Sequence, residues 1–339
     1  MSEQLKAPFP YFGGKRQIAE RVWAHLGEID NYVEPFAGSL AVLLSRPAPF
    51  VGPETINDFS CLLINAWRAI QGSPEELAHM LVSPVAEVNT EAQHWALVQQ
   101  AGQLRNKLGD PDYFDARLAA FWIKGANEWI GSGWAAEDET GPWSWSQDNG
   151  WAKRKRAGNA GTGINRQLPH LGNAGTGINR KSSTSALGGC GEGEYEQRIV
   201  WVTSWLSALK DRLCRTRIAC GDFERVLTPS VTSKHGITGV FLDPPYDGTE
   251  YVYGNSVPIS QRVREWCLTA GDDFKVVLAG RGTEHDELMA HGWTKELWKA
   301  GRGYSNGANT ARADEALWIK PATIGCQIVE AVAVAEDWN

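Results

Sequence analysis

The run Gly239-Val240-Phe241-Leu242 passes directly into Asp243-Pro244-Pro245-Tyr246. An apolar stretch of this length reads as a buried strand, Thr238 to Leu242. The Asp-Pro-Pro-Tyr turn follows that run, and its two prolines stiffen it. The turn therefore stands at the carboxyl end of a strand, where open α/β sheets bind their ligands. The rest of the chain fits such a sheet. Asn31 to Glu34, Thr55 to Asp58, Arg217 to Cys220, Phe274 to Ala279 and Ala316 to Lys320 are strand candidates. Helical periodicity covers Gln17 to Leu26, Ser60 to Gln71, Gln197 to Leu213, Ser260 to Thr269 and Glu284 to His291, and a further helix is expected to open over Ser39 to Ser45. Strands and helices in alternation predict a parallel sheet.

The alternation is interrupted. Pro74 to Ile130 reads as mostly helical, with Trp95, Phe121, Trp122 and Trp129 at spacings that suit core packing. Gly131 to Gly193 is rich in Gly, Ser, Asn and Trp and is expected to be a long flexible loop. It holds an exact repeat, GNAGTGINR, at 158–166 and again at 172–180. The whole chain has a formal net charge of -7, yet from Asn149 to Gly191 there is no Asp or Glu. That stretch carries Lys153, Arg154, Lys155, Arg156, Arg166, Arg180 and Lys181. Such a patch can follow a phosphate backbone even on an acidic protein. Arg166 and Arg180, which end the two repeats, have the chemistry to read guanine edges. A solvated loop without a partner is the alternative. The expected layout is a catalytic domain in two parts, 1–72 and 196–325, around an insertion at 73–195, with a tail at 326–339.

With 339 residues, 42% of them hydrophobic, the chain can bury a sizeable core. No run of eighteen apolar residues occurs, so no membrane span is expected. Met1 to Pro10 does not read as a signal peptide, and a cytoplasmic location is expected. The six cysteines form no CxxC pair and have no His cluster beside them, which argues for reduced thiols and no metal site.

The chemistry concentrates at predicted strand ends. The exocyclic amine of adenine is a poor nucleophile because its lone pair is delocalised into the ring. A carboxylate and a backbone carbonyl, each accepting one N–H, draw that nitrogen towards tetrahedral geometry. Asp243 and the Pro244 carbonyl are suited to be those acceptors, with Pro244 and Pro245 stiffening the turn. Tyr246 would stack on a base that must leave the duplex to be reached. In Asn31-Tyr-Val-Glu-Pro-Phe-Ala-Gly-Ser39 a strand ends at Glu34 and a tight turn holds Gly38, which lets a ligand approach the backbone. In Tyr11-Phe12-Gly13-Gly14-Lys15, exposed N–H groups and a cation suit a carboxylate. Asp58 ends another strand, where a carboxylate can hold ribose hydroxyls. Asp222 and Phe223, after Gly221, offer an acceptor for an amino group and a stacking surface.

In this order the motifs resemble the Dam-like, D12-class family of DNA adenine N6-methyltransferases in its alpha arrangement, and look closest to phage and prophage members, which would place the protein in a bacterial or phage-infected cell. The resemblance covers about residues 8–70 and 196–320. It implies a Rossmann-like α/β sheet that binds S-adenosylmethionine, with a helical and loop-rich DNA-recognition insertion. It also implies methyl transfer to the N6 of a flipped adenine in double-stranded DNA by a protein expected to be a monomer. By resemblance Tyr11, Phe12, Gly13, Gly14 and Lys15 contact the cofactor, Lys15 at its carboxylate. Glu34, Pro35, Phe36 and Gly38 line the pocket, Asp58 with Phe59 holds the ribose, and Asp222 and Phe223 meet the cofactor adenine. Asp243 to Tyr246 holds the target base beside the methyl group. Two departures stand out. The family's FxGxG reads Phe36-Ala37-Gly38-Ser39-Leu40 here, without the second glycine, and Tyr11 stands where Trp is common. The insertion matches no recognition domain, so no target sequence carries over. Related readings are an enzyme acting on RNA adenine or a protein amide, one transferring another group, and a DNA-binding relative without catalysis. Asp243, where RNA and amide enzymes usually carry Asn, favours DNA adenine.

Overall fold

The computed structural model describes residues 5–11, 15–48, 52–83, 87–128, 134–135, 143–146, 150–153, 194–245, 258–298 and 315–321. Its centre is a seven-stranded sheet. Strands β1 (Asn31–Glu34), β2 (Glu54–Asp58), β5 (Thr216–Cys220), β6 (Thr238–Leu242), β7 (Phe274–Arg281), β8 (Thr294–Trp298) and β9 (Glu315–Ile319) lie in the order β5-β2-β1-β6-β7-β9-β8. The first five are parallel, and β9 runs antiparallel to both β7 and β8. The fold is α/β, as expected. From β1 the chain moves outward to β2 on one side, and from β6 it moves to β7 on the other. The reversal between β1 and β6 opens a crevice at their carboxyl ends.

The central strands are buried on both faces. On β6, Val240 and Leu242 pack into one core and Phe241 into the other; on β7, Val276 and Leu278 alternate in the same way with Val277 and Ala279. The period of two is the pleat itself. One face is covered by α1 (Ala19–Leu26), α2 (Cys61–Gly72), α3 (Pro74–Leu81), α4 (Glu87–Lys107), α5 (Ala116–Glu128) and α6 (Glu194–Leu213). The other carries α7 (Ile259–Thr269) and a 3-10 turn, Phe223–Val226. Ser60 caps α2 by accepting from the Leu63 N–H, and Pro74 begins α3 at the one position where its missing N–H is harmless. Helices α3 to α5 pack against α2 and share its core, with Trp122 buried and Trp95 and Phe121 half-buried. Trp129 lies outside the described residues.

Three expectations need correction, and one strand was not expected. No helix begins at Ser39. Turns at 38–39 and 41–42 flank Leu40, and only Leu43–Ser45 closes a 3-10 turn. The cause is Leu40, which has φ 54, a left-handed conformation no helix can propagate. Glu284 to His291 is a 3-10 turn over Asp286–His291, ended by Gly292 at φ 85. The stretch expected as a loop from Gly131 contains a hairpin, β3 (Trp143–Ser146) with β4 (Gly150–Lys153), in the register Trp143↔Lys153 to Ser146↔Gly150. Trp-Ser-Trp-Ser alternation before Asp148-Asn149-Gly150 is a hairpin signal that average composition conceals. Finally β8 was not anticipated. It pairs only with β9 at the sheet edge, so its sequence, TKELW, carries charges instead of an apolar run.

Candidate active site

The carboxyl ends of β1, β2, β5 and β6 bring the expected residues to one edge of the sheet. The turn after β1 is fastened from several sides. Asp58, at the end of β2, accepts from the Gly38 N–H at 3.2 Å and from the Ser60 N–H at 2.9 Å. Asn57 donates to the Pro35 carbonyl at 3.1 Å and the Gly221 carbonyl at 2.9 Å, tying the ends of β1 and β5 to β2. Trp67 Nε1 donates to the Gly38 carbonyl at 3.0 Å. Gly38 has φ +46, and a Cβ there would lie 2.9 Å from Tyr11 Cε1. Only glycine suits both the dihedral and the ring lying across it. Tyr11 is thus seated on the turn with 40% of its surface exposed.

Lys15 is 3% exposed although it is a lysine. Its Nζ lies 3.0 Å from Asp243 Oδ1 and 3.7 Å from Glu315 Oε2. The first 3-10 turn, Lys15–Gln17, thereby meets the end of β6. Glu315 arrives by topology. Because β9 is antiparallel, its first residue reaches the edge where the parallel strands end. No motif surrounds Glu315 in the sequence, and only knowledge of that strand direction could have found it. Burial pushes the Asp243 carboxyl above its ordinary value, and the Lys15 ammonium offsets part of the rise. Pro244 is buried and Pro245 half-buried beside it.

Two further acids at this edge are held in unusual states. Glu34 is 2% exposed and accepts from the Tyr32 hydroxyl at 3.0 Å. Burial raises its carboxyl to about 8, against the pull of that hydrogen bond, and the nearby Asp243 charge adds to the rise. Asp58 is raised to about 6 by burial, with backbone N–H groups of Ser60, Gly38 and Phe59 opposing.

Phe36, after β1, and Phe223, after β5, stack in the core on the α7 face of the sheet, with ring centroids 5.5 Å apart and planes at 25°. Asp222 accepts a fork from Arg262 of α7, Nη1 to Oδ2 at 2.8 Å and Nη2 to Oδ1 at 2.9 Å. Burial alone would raise Asp222, but the Arg262 fork dominates and holds it below the usual carboxylate range. The same guanidinium reaches Glu224 at 2.7 Å and lies 5.0 Å from the Phe223 ring centroid. Arg262 escaped the sequence reading because it is forty residues from its partner. Phe59 carries the Arg105 guanidinium of α4 over its ring at 4.5 Å. A cavity of about 260 Å³ opens beside Tyr11, and its lining includes Lys6, Phe9, Arg16 and Ser39 but no carboxylate.

Tyr246, Phe12, Gly13 and Gly14 lie outside the described residues, as do Arg154, Lys155, Arg156, Arg166, Arg180 and Lys181; Lys153 is placed by its backbone as the last residue of β4. Among the described residues no group of His, Cys, Asp and Glu could hold a metal ion. None of the described helices is long and apolar enough to cross a membrane.

The seven-stranded mixed sheet, with its reversed β9 and its edge of carboxylates around a glycine turn, has the Rossmann-like architecture of a methyltransferase. Residues 11–105 match the model of the family described as D12 class N6 adenine-specific DNA methyltransferase. The match supports that family and indicates methylation of adenine in DNA. It holds Tyr11, Lys15, the Glu34 to Gly38 turn and Asp58, and stops before Asp243. No curated protein matches the chain.

Proposed function

We propose that this protein transfers the methyl group of S-adenosylmethionine to the N6 amine of an adenine flipped out of double-stranded DNA, as a Dam-like enzyme of the alpha arrangement. The observation that carries the reading is the Lys15–Asp243 pair beside the Gly38 turn, at the mouth of the β1/β6 crevice. The residues fit the cofactor. A glycine turn with an aromatic ring seated on it, a buried ammonium for a carboxylate, an acid at the end of β2 for ribose hydroxyls, and an acid at the end of β5 for an amino-bearing ring make a complementary set. When bound, the cofactor supplies an electrophilic methyl group.

The chain's own part is to hold the amine. Lys15 takes Oδ1 of Asp243 and leaves Oδ2 to accept one N6–H. The Pro244 carbonyl takes the other, which localises the lone pair towards the methyl group. On gaining the methyl, N6 must lose a proton, and the Asp243 carboxylate, raised by burial, is the acceptor at hand. Tyr246 stacks on the flipped base. The basic stretch from Lys153 to Lys181 supplies phosphate contacts, and Arg166 and Arg180 read bases. Neutralising Lys153, Arg154, Lys155 and Arg156 together should weaken binding to all sequences and flatten its salt dependence. An unchanged salt slope would move the interface elsewhere.

Radiolabel transfer to DNA, followed by nucleoside analysis, tests the activity. Label is expected in N6-methyladenine. Label in cytosine, or in no DNA tried, refutes the reading. Asp243→Ala should lower turnover by at least about 10²–10³ while cofactor binding persists. Activity within about tenfold of wild type would remove Asp243 from the mechanism.

A further inference from the structure

Asp222 stands at the end of β5 beside a stacked aromatic pair, and its carboxylate is not left to find its own orientation. Two parallel N–H···O bonds from one guanidinium, at 2.8 and 2.9 Å, fix both its position and its plane. The Glu224 N–H adds a third bond, to Oδ1, at 3.1 Å. Oδ2 receives one bond and keeps acceptor capacity. The arginine is itself fixed, by Glu224 on one side and by its place over Phe223 on the other. Arg262 is 17% exposed and Asp222 33%, so the pair sits at the rim of the crevice and not in the core. A clamp of this kind exceeds what is needed to attach α7, which already packs through Ile259, Val263 and Cys267.

We propose that Arg262 is a positioning residue that orients Asp222 as an acceptor-only group for the 6-amino of the cofactor's purine, and so sets the preference for a 6-aminopurine over a 6-oxopurine nucleoside. The inference rests on the proposed use of S-adenosylmethionine. An oriented carboxylate accepts from a 6-amino group, whereas a 6-oxo group brings a lone pair against it. Without the fork the carboxylate can turn away into solvent, and the two purines bind without discrimination at position 6. Phe223 is 2% exposed and packs against Phe36 and the guanidinium, so it fixes the arginine from below.

Calorimetric titration of the full chain with S-adenosylhomocysteine and S-inosylhomocysteine tests this. Wild type should prefer the adenosyl ligand by roughly 10–100-fold, the range of one hydrogen bond to a charged group. Arg262→Met should bring the two affinities within about threefold of each other. Arg262→Lys, with a point charge in place of a fork, should fall between. Asp222→Asn, whose amide can both donate and accept, should lose it and serves as the reference should Arg262→Met fail to fold. If both Arg262 variants keep the full preference, or weaken both ligands equally, Arg262 only holds the fold together and the inference is wrong. Retention of the preference by Asp222→Asn overturns it as well. Failure of wild type to bind S-adenosylhomocysteine at all is a separate result, which strikes the cofactor reading and the inference with it.

Discussion

Replacing Glu34 with Gln tests whether an acid at the end of β1 is neutral in the folded protein. Its carboxyl rises from an ordinary 4.5 to about 8, chiefly through burial. The sign follows from linkage. Below about pH 4.5 the group is protonated in both folded and unfolded chains and contributes nothing pH-dependent. As the pH rises, the unfolded chain releases the proton while the folded one keeps it, so stability falls until the folded value is passed. Each pH unit in that window carries about 1.4 kcal/mol, so the acid costs roughly 3 kcal/mol at pH 7. Glutamine copies the shape of the neutral acid and can still accept the Tyr32 hydroxyl, but it never ionises. Urea unfolding followed by tryptophan fluorescence, on both proteins from about pH 4.5 to about pH 8.5, reads the difference. The variant should match wild type at the acid end and exceed it by about 3 kcal/mol near neutrality. A gap that stays constant across the range would mean that Glu34 is ionised in the folded protein, and the burial argument would fail.

Lys15→Met leaves Asp243 and Glu315 buried without their cation and should cost about 3 kcal/mol at neutral pH. Because burial already raises the Asp243 carboxyl and Lys15 opposes that rise, Asp243 can escape the penalty by protonation, so the loss should shrink as the pH falls, and a pH-independent loss in urea titrations would contradict it. Cofactor-product affinity in the same variant should also drop by calorimetry. At Leu40, substitution by Gly should be no more destabilising than substitution by Ala, because the left-handed backbone costs a non-glycine residue about 1–2 kcal/mol; an Ala variant clearly more stable than the Gly variant by thermal unfolding would show that φ 54 carries no strain. At the opposite edge, Glu54 takes Arg212 at 2.7 Å and Arg46 at 2.8 Å, and these pairs overcome the opposing effect of burial to hold its carboxyl below the ordinary value. Arg212→Met should cost about 3 kcal/mol above the ordinary carboxylate range, with the deficit fading as acid protonates Glu54. A deficit that persists undiminished at low pH would point to lost packing instead.

The sequence alone determined the elements whose signal is local. The strand Thr238–Leu242 was legible because its five residues are buried on both faces and a turn stiffened by two prolines follows it. Ser60 and Pro74 marked helix starts, and Asp243 could be placed at a strand end because it follows the apolar run Gly239-Val240-Phe241-Leu242. Signals that depend on what lies across from a residue were not legible. Leu40 looked like the interior of a helix, and only the backbone shows it turned left-handed. β8 carries charges because it is an edge, a fact its neighbour β9 decides. Glu315 and Arg262 reach the site through an antiparallel strand and a crossover helix, and nothing in their local sequence says so. Tertiary structure alone decided that Lys15 rests on Asp243. Burial and charge pairing depend on distance in space, whereas periodicity, caps and turns are written along the chain.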